Sequence, residues 1–333
     1  MNSSQVICLG EALIDRLGPL GGDPAIDLPV DDYLGGAPAN VACGLAKLGT
    51  NVAFVGCVGN DDIGQKFKSL MRSRGINISG LEINESFPSR IVLVRRSKDG
   101  DRSFQGFVRK KENLFADQAI NSSFINDSWP LFSDNAKWLL IGTIPLASRI
   151  SGDSLWQVVE KALHSEIRIG IDVNWRPTFW DPNSSFDRGP TEKELSKILP
   201  FLENASFLKF SEEEANYFFG NNQPDIIANS LSKKPDVVVT NGPEPVKWFL
   251  NKLRGETSSI KIDNVVDTTG AGDAFMAGLI HQFLNHSSLP TTIQDMNKLV
   301  LFASACGALV CQKSGAIQSQ PTKEEVESFY NSF

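Results

Sequence analysis

The feature that most constrains this chain is an alternation of two hydrophobic periods along its length. Short apolar runs at 5–9, 51–59 (NVAFVGCVG), 137–142 (KWLLIG), 168–173 (RIGIDV) and 236–240 (DVVVT) read as strands. The last two are bare of polar alternation, as expected for strands covered on both faces. Between the runs lie segments of helical period. Residues 41–48 end at Gly49, a natural helix C-terminal cap. Segment 59–75 is acidic at its start and basic at its end, which suits the helix dipole. Residues 151–164 place apolar side chains at 155, 158, 159, 162 and 163. Thr191–Glu194, Ser211–Glu214 and Thr322–Glu325 fit the capping box that opens helices. Strands alternating with helices predict an α/β fold around a mainly parallel, doubly covered sheet.

Two stretches break the rhythm. Residues 17–34 are rich in Gly, Pro and Asp, and 89–109 hold two β-prone runs separated by Asp99-Gly100, a hairpin signal. Neither suits a βαβ unit, so both are expected to form a small β lid. The main domain is then 1–16, 35–88 and 110–333. The 333 residues are enough for two domains, or for one large α/β domain with such an insertion. Segment 176–190 is expected to be a long surface loop.

Charge and cysteine usage narrow the function classes. The net charge of −7 is the reverse of what a nucleic-acid binder shows. Five Cys without CxxC spacing and three His without HxxxH or HExxH spacing argue against a zinc site and for reduced core thiols. No apolar run approaches the ~18 residues of a membrane span, and the first residues lack a basic leader. These features predict a soluble cytoplasmic protein with no membrane or nucleic-acid partner.

Chemistry concentrates in two places. Residues 267–275 (DTTGAGDAF) follow a β-prone stretch, IDNVV, and open a helix. Gly270, Ala271 and Gly272 leave backbone N–H groups open at a helix N-terminus, where unpaired donors and the positive dipole end favour an anion. The loop lacks GK[ST], and Phe275 stands where a dinucleotide fingerprint has its third Gly. Asp273 in the first turn is either a dipole-favoured carboxylate or a base beside a bound phosphate, accepting a proton from an attacking hydroxyl. The second place is 35–40 (GGAPAN). Gly35 and Gly36 permit close approach of backbone to a small ligand. Asn40 is either a helix N-cap or a donor and acceptor for sugar hydroxyls. Asp15, after the first strand, could accept two hydroxyl hydrogen bonds.

These segments resemble the ribokinase-like (PfkB-type) sugar kinases, and most closely their fructokinase branch. DTTGAGDAF matches the C-terminal signature of that family and GGAPANVACGLAKLG (35–49) the N-terminal one. The similarity runs from GEALID (10–15) through DVNWRPTFW, FLKFSEEEANYF and FASACGALVCQKSGAI to GAIQSQPT (315–322). The resemblance implies a three-layer αβα sandwich with a mainly parallel central sheet and a β lid that often builds a homodimer. It implies ATP as phosphoryl donor with Mg²⁺, Asp273 as base, and the amides of Gly270, Ala271 and Gly272 as anion hole. Asp15, Gly35, Gly36, Asn40, Arg109 and Arg176 would hold the sugar. Ser211, Glu214, Thr240, Gly242 and Ser304 would face the nucleotide. Asp267, Thr269, Gly315 and Ser319 match positions for a monovalent cation, K⁺. Pro245 stands where a Gly is usual in the nucleotide turn, Ser304 where Asn often stands, and Val108 where an aromatic precedes the Arg. The implied activity is phosphorylation of fructose at its 6-hydroxyl. The alternatives are a 2-keto-3-deoxygluconate kinase or another sugar kinase of the family, and, more distantly, a non-catalytic regulatory relative.

Overall fold

The computed structural model describes residues 3–96, 102–108 and 114–330, so the Asp99-Gly100 turn and Arg109 lie outside the described residues. Its strands are β1 (Val6–Leu9), β2 (Leu13–Leu20), β3 (Asp31–Gly35), β4 (Val52–Gly59), β5 (Asn77–Asn84), β6 (Ile91–Arg96), β7 (Arg102–Phe107), β8 (Trp138–Ile141), β9 (Arg168–Asp172), β10 (Phe207–Ser211), β11 (Asp236–Thr240), β12 (Val246–Leu250) and β13 (Leu253–Thr257). Nine of them form one sheet in the order β13-β12-β11-β10-β9-β8-β1-β4-β5. All neighbours from β11 to β5 run parallel, and β12 and β13 close one edge antiparallel.

Side chains alternate across this sheet, so a bare apolar strand feeds two cores at once. Val6 and Cys8 of β1 enter one cluster with Phe54, Trp138, Phe207 and Trp248, and Ile7 and Leu9 enter the other with Val55, Leu139, Ile171 and Phe210. The first cluster is covered by helices Ala37–Lys47, Ala271–Asn285 and Ile293–Val310, the second by Arg149–His164 and Glu192–Leu202. Each fully buried large side chain contributes about 1.5–3 kcal/mol, so the two layers clamp the sheet firmly. All five cysteines are buried free thiols, four of them within these two clusters. Among the described residues, no helix is long and apolar enough to cross a membrane.

The second sheet has the order β3-β2-β6-β7, with the β6–β7 pair antiparallel. Its first strand begins at Leu13, so Asp15 is carried on the small sheet rather than on the main one. Leu13, Val92 and Phe107 of this sheet pack on Phe115, with Phe179 against them, and this patch anchors the lid to the main body. The β-prone stretch IDNVV forms no strand. Val265 and Val266 of IDNVV are 56% and 49% exposed, and the amides of Val266 and of Asp267 after it donate to the Cys311 carbonyl. Local β propensity is a weak guide without a pairing partner in register.

Candidate active site

The carboxyl ends of the parallel strands open into a cleft of about 590 Å³, roofed by the small sheet. Open α/β sheets place ligands at this end, where loops leave the strands. Leu17, Tyr33, Val92, Val94 and Phe104 line the cleft from the lid, and Asp172, Lys209, Ser211 and Thr240 from the strand ends. The loop and helix start at 267–273 complete it.

The two signature segments meet here. Asn40 Nδ2 donates to Asp273 Oδ2 at 2.7 Å across 233 residues of sequence. Asn40 is not a helix cap: its helix starts at Ala37 with Gly36 as N-cap, which turns the Asn40 side chain inward from the first turn. Gly36 has φ 101°, and a Cβ there would meet the Glu11 carbonyl oxygen at 2.5 Å, so only glycine fits. A Cβ on Gly35 would meet the Asp15 carboxylate at 2.6 Å. Both Gly36 and Asp15 line the cleft.

Helix Ala271–Asn285 opens from Gly270, at φ 81°, with no side-chain cap. Gly270 and Gly272 line the cleft. The Ala271 amide instead donates to the Thr268 carbonyl at 3.2 Å and closes the turn. An uncapped helix start facing a cleft offers donors and dipole to an anion.

The carboxyls here are strongly perturbed. Burial, then the nearby Asp172, pushes Asp273 up to about 6, while the Asn40 hydrogen bond, Lys209 and Arg176 hold it down. Asp273 is therefore largely ionised at neutral pH yet basic enough to take a proton. Lys209 Nζ bonds Asp172 Oδ2 at 2.7 Å, and a Cβ on Gly272 would meet that Nζ at 3.3 Å. The cation thus sits beside the helix start. Glu214 is raised by burial and by Asp172, and its oxygens accept from the amides of Trp175 (2.7 Å) and Ser211 (2.8 Å). Ser211 Oγ in turn accepts the Glu214 amide at 3.1 Å, so the capping box is formed as the spacing predicts.

Arg176 is exposed on the cleft wall, with Nη1 on the Trp175 carbonyl. Thr240 also lines the cleft, whereas Gly242 lies beyond it in the β11–β12 turn beside Pro245. Ser304 is buried in helix Ile293–Val310 and donates to the Val300 carbonyl at 3.0 Å, away from the cleft lining. Val108 is also outside that lining. Asp267 accepts from the amides of Thr269 and Gly315, each at 2.9 Å, which ties two cleft loops together. Ser319 lies behind them, buried, with Oγ on the Ser314 carbonyl at 2.9 Å.

Sequence reasoning missed Glu11, Asp172 and Lys209, all of which line the cleft. A signal existed. Lys209 and Asp172 are charges set in otherwise apolar strands, and a buried charge requires a partner. They are register partners on β10 and β9.

A family model for pfkB family carbohydrate kinases matches residues 3–323. The chain is 32% identical to the probable chloroplastic fructokinase-6 of Arabidopsis thaliana, over 97% of this chain and 82% of that one. It is 30% identical to the fructokinase of Escherichia coli over 98% and 99% of the two chains. It superposes on the crystal structure of a fructokinase from Vibrio cholerae O395 in fructose, ADP and calcium ion bound form with a TM-score of 0.81, at 26% identity and covering 98% and 99% of the two chains. The ribokinase-like arrangement expected from the sequence is therefore present. With a family match over nearly its whole length, the chain belongs to the pfkB family of carbohydrate kinases.

Proposed function

We propose that the protein transfers the γ-phosphoryl group of ATP to the 6-hydroxyl of D-fructose. The observation that carries this reading is the Asn40–Asp273 hydrogen bond at an uncapped helix start in the cleft. It joins the candidate sugar loop, the candidate base and the candidate anion hole in one place. Fructokinases among the similar chains support fructose as the sugar.

The sugar lies between the lid strands and the 35–40 loop, with Asp15, Gly36 and Asn40 at its hydroxyls. Asp273 accepts the proton of the attacking hydroxyl. The amides at Gly270 and Gly272 and the helix dipole stabilise charge on the transferred group. Lys209 and Arg176 add positive charge from the strand ends. The lid excludes water that would otherwise hydrolyse the nucleotide.

Among the described residues, no group of three or more His, Cys, Asp or Glu side chains is placed to hold a metal ion. Mg²⁺ would arrive with the nucleotide, since that ion keeps waters and binds phosphates with one or two carboxylates. Asp172 and Glu214, both in the cleft lining, are the carboxylates that would hold it. When bound, Mg²⁺ neutralises phosphate charge. A K⁺ site would use backbone oxygens of the two loops that Asp267 ties. Exposed Leu20, Ile26 and Leu28 around the β2–β3 connection support a homodimer through the lid, and a monomeric mass by light scattering would remove that element.

The test is ADP release by purified protein with fructose, 2-keto-3-deoxygluconate, ribose, glucose and no sugar. Turnover with fructose supports the proposal. Turnover only with the keto-acid moves the assignment to a sugar-acid kinase with Arg176 at the carboxylate. No turnover with any sugar indicates a non-catalytic relative.

A further inference from the structure

Glu11 follows β1 and is only 3% exposed. Its Oε1 accepts the Ala37 amide at 3.1 Å, which fixes the start of the Asn40 helix. Its Oε2 is buried with no hydrogen-bond partner. The side chain lines the main cleft beside Asp15, Gly36 and Asn40. It also faces a small cavity shared with Arg90, Asp117, Ser148 and Ser151.

A carboxylate this dehydrated needs a paired cation, and otherwise takes up a proton. The charged groups around it are unfavourable to an anion. Asp273 faces it from helix Ala271–Asn285 and Asp117 from the segment Ala116–Gln118. Arg90 is close, but both of its bonds go to Asp117, at 2.7 and 2.9 Å. Lys209 is likewise engaged by Asp172, and Arg176 lies exposed on the cleft wall. Burial first, then Asp117 and Asp273, raises Glu11 to about 8 against the pull of its backbone hydrogen bonds.

A second buried atom in the same cleft lacks a partner: Asn40 Oδ1. A protonated Glu11 is a donor and Asn40 Oδ1 an acceptor, and a sugar hydroxyl is both. A neutral Glu11 also adds no repulsion to the bound phosphates or to ionised Asp273. Resting on the sugar-kinase reading above, we propose that Glu11 is a specificity-determining residue, a neutral carboxyl whose Oε2 donates a hydrogen bond to an oxygen of the sugar acceptor while Oε1 stays on Ala37.

Three measurements test this on the protein. Carboxyl ¹³C NMR of glutamate-labelled protein follows the titration, with Glu11 identified as the signal absent from Glu11→Gln. A midpoint near 8 is expected, and one near the ordinary value of about 4.3 overturns the proposal whether or not any sugar is turned over. The second is the pH dependence of kcat/KM for fructose. Wild type should lose about tenfold between pH 7 and 9 as a group of pKa about 8 ionises. Glu11→Gln keeps a donor that does not titrate, so its kcat/KM should stay level over that range. Glu11→Ala should raise KM for the sugar and not for ATP. The same alkaline fall in wild type and Glu11→Gln, or equal KM effects on both substrates, overturns the proposal. Failure of every sugar in the panel would remove the sugar-kinase reading instead.

Discussion

Lys209→Met separates a catalytic cation from a structural one. Lys209 and Asp172 touch at 2.7 Å with side chains 7% and 13% exposed. Met keeps the apolar stem and removes the charge. Asp172 is then left beside Asp273 and Glu214 with no cation on it. Breaking a buried pair from one side costs about 3–5 kcal/mol, and the residual exposure of Asp172 favours the lower end, about 3 kcal/mol. At roughly 2 °C per kcal/mol for a large domain, the melting temperature should fall about 6 °C.

The same change should reach the chemistry. Lys209 is one of the groups that hold Asp273 down against burial. Without it the base protonates at higher pH, so the acid limb of kcat moves above about 6. The double variant Asp172→Asn/Lys209→Met removes both charges and should recover most of the lost stability. It should not recover turnover, because the cation beside Gly272 and a carboxylate that would hold Mg²⁺ are both gone. Losing such a stabiliser costs about 10²–10³ in kcat. The assays are thermal melting and kcat for fructose phosphorylation between pH 5 and 8. A double variant with wild-type kcat would refute the argument and leave the pair a purely structural one.

Asp273→Asn should keep sugar binding, measured by calorimetry, and lose about 10²–10⁴ in turnover, because the amide cannot take a proton; near-native kcat would defeat the base assignment. For wild type, kcat/KM should fall as pH drops through about 6, since Asp273 is raised and becomes protonated below that value; a flat profile from pH 8 to 5 would contradict it. Gly44→Val places a Cβ that meets Gln320 Oε1 at 2.7 Å and Ala277 Cβ at 2.9 Å. It should cost about 1–3 kcal/mol by overpacking and reduce kcat as Asn40 is moved from Asp273, and unchanged kcat with reduced stability would show that this contact is not needed. Asp117→Asn leaves Arg90 buried among Phe107, Phe115 and Phe179 without its counter-ion. A loss of about 3 kcal/mol or more is expected, with a raised KM for the sugar because the lid anchor loosens, and an unchanged melting temperature would refute it.

What the sequence showed and hid follows from the range of the forces involved. The strands at 6–9, 52–59, 138–141, 168–172 and 236–240 and the capping boxes at Thr191 and Ser211 were legible because they depend on near neighbours. IDNVV carried the same local signal and forms no strand, because a strand also needs a partner in register, which no local pattern encodes. Asp15 was legible as a candidate, but its place on the lid depends on β2 pairing with β3 and β6. The Lys209–Asp172 pair depends on the register of two strands. The juxtaposition at the centre of the site is of the same kind. Asn40 and Gly44 are one turn apart on one helix, and Asp273 and Ala277 one turn apart on another. Residues at i and i+4 share a helix face. Gly44 against Ala277 lets the backbones close up, and this brings Asn40 within 2.7 Å of Asp273 one turn away. Small side chains spaced one turn from polar ones are therefore part of the site, although they touch no substrate.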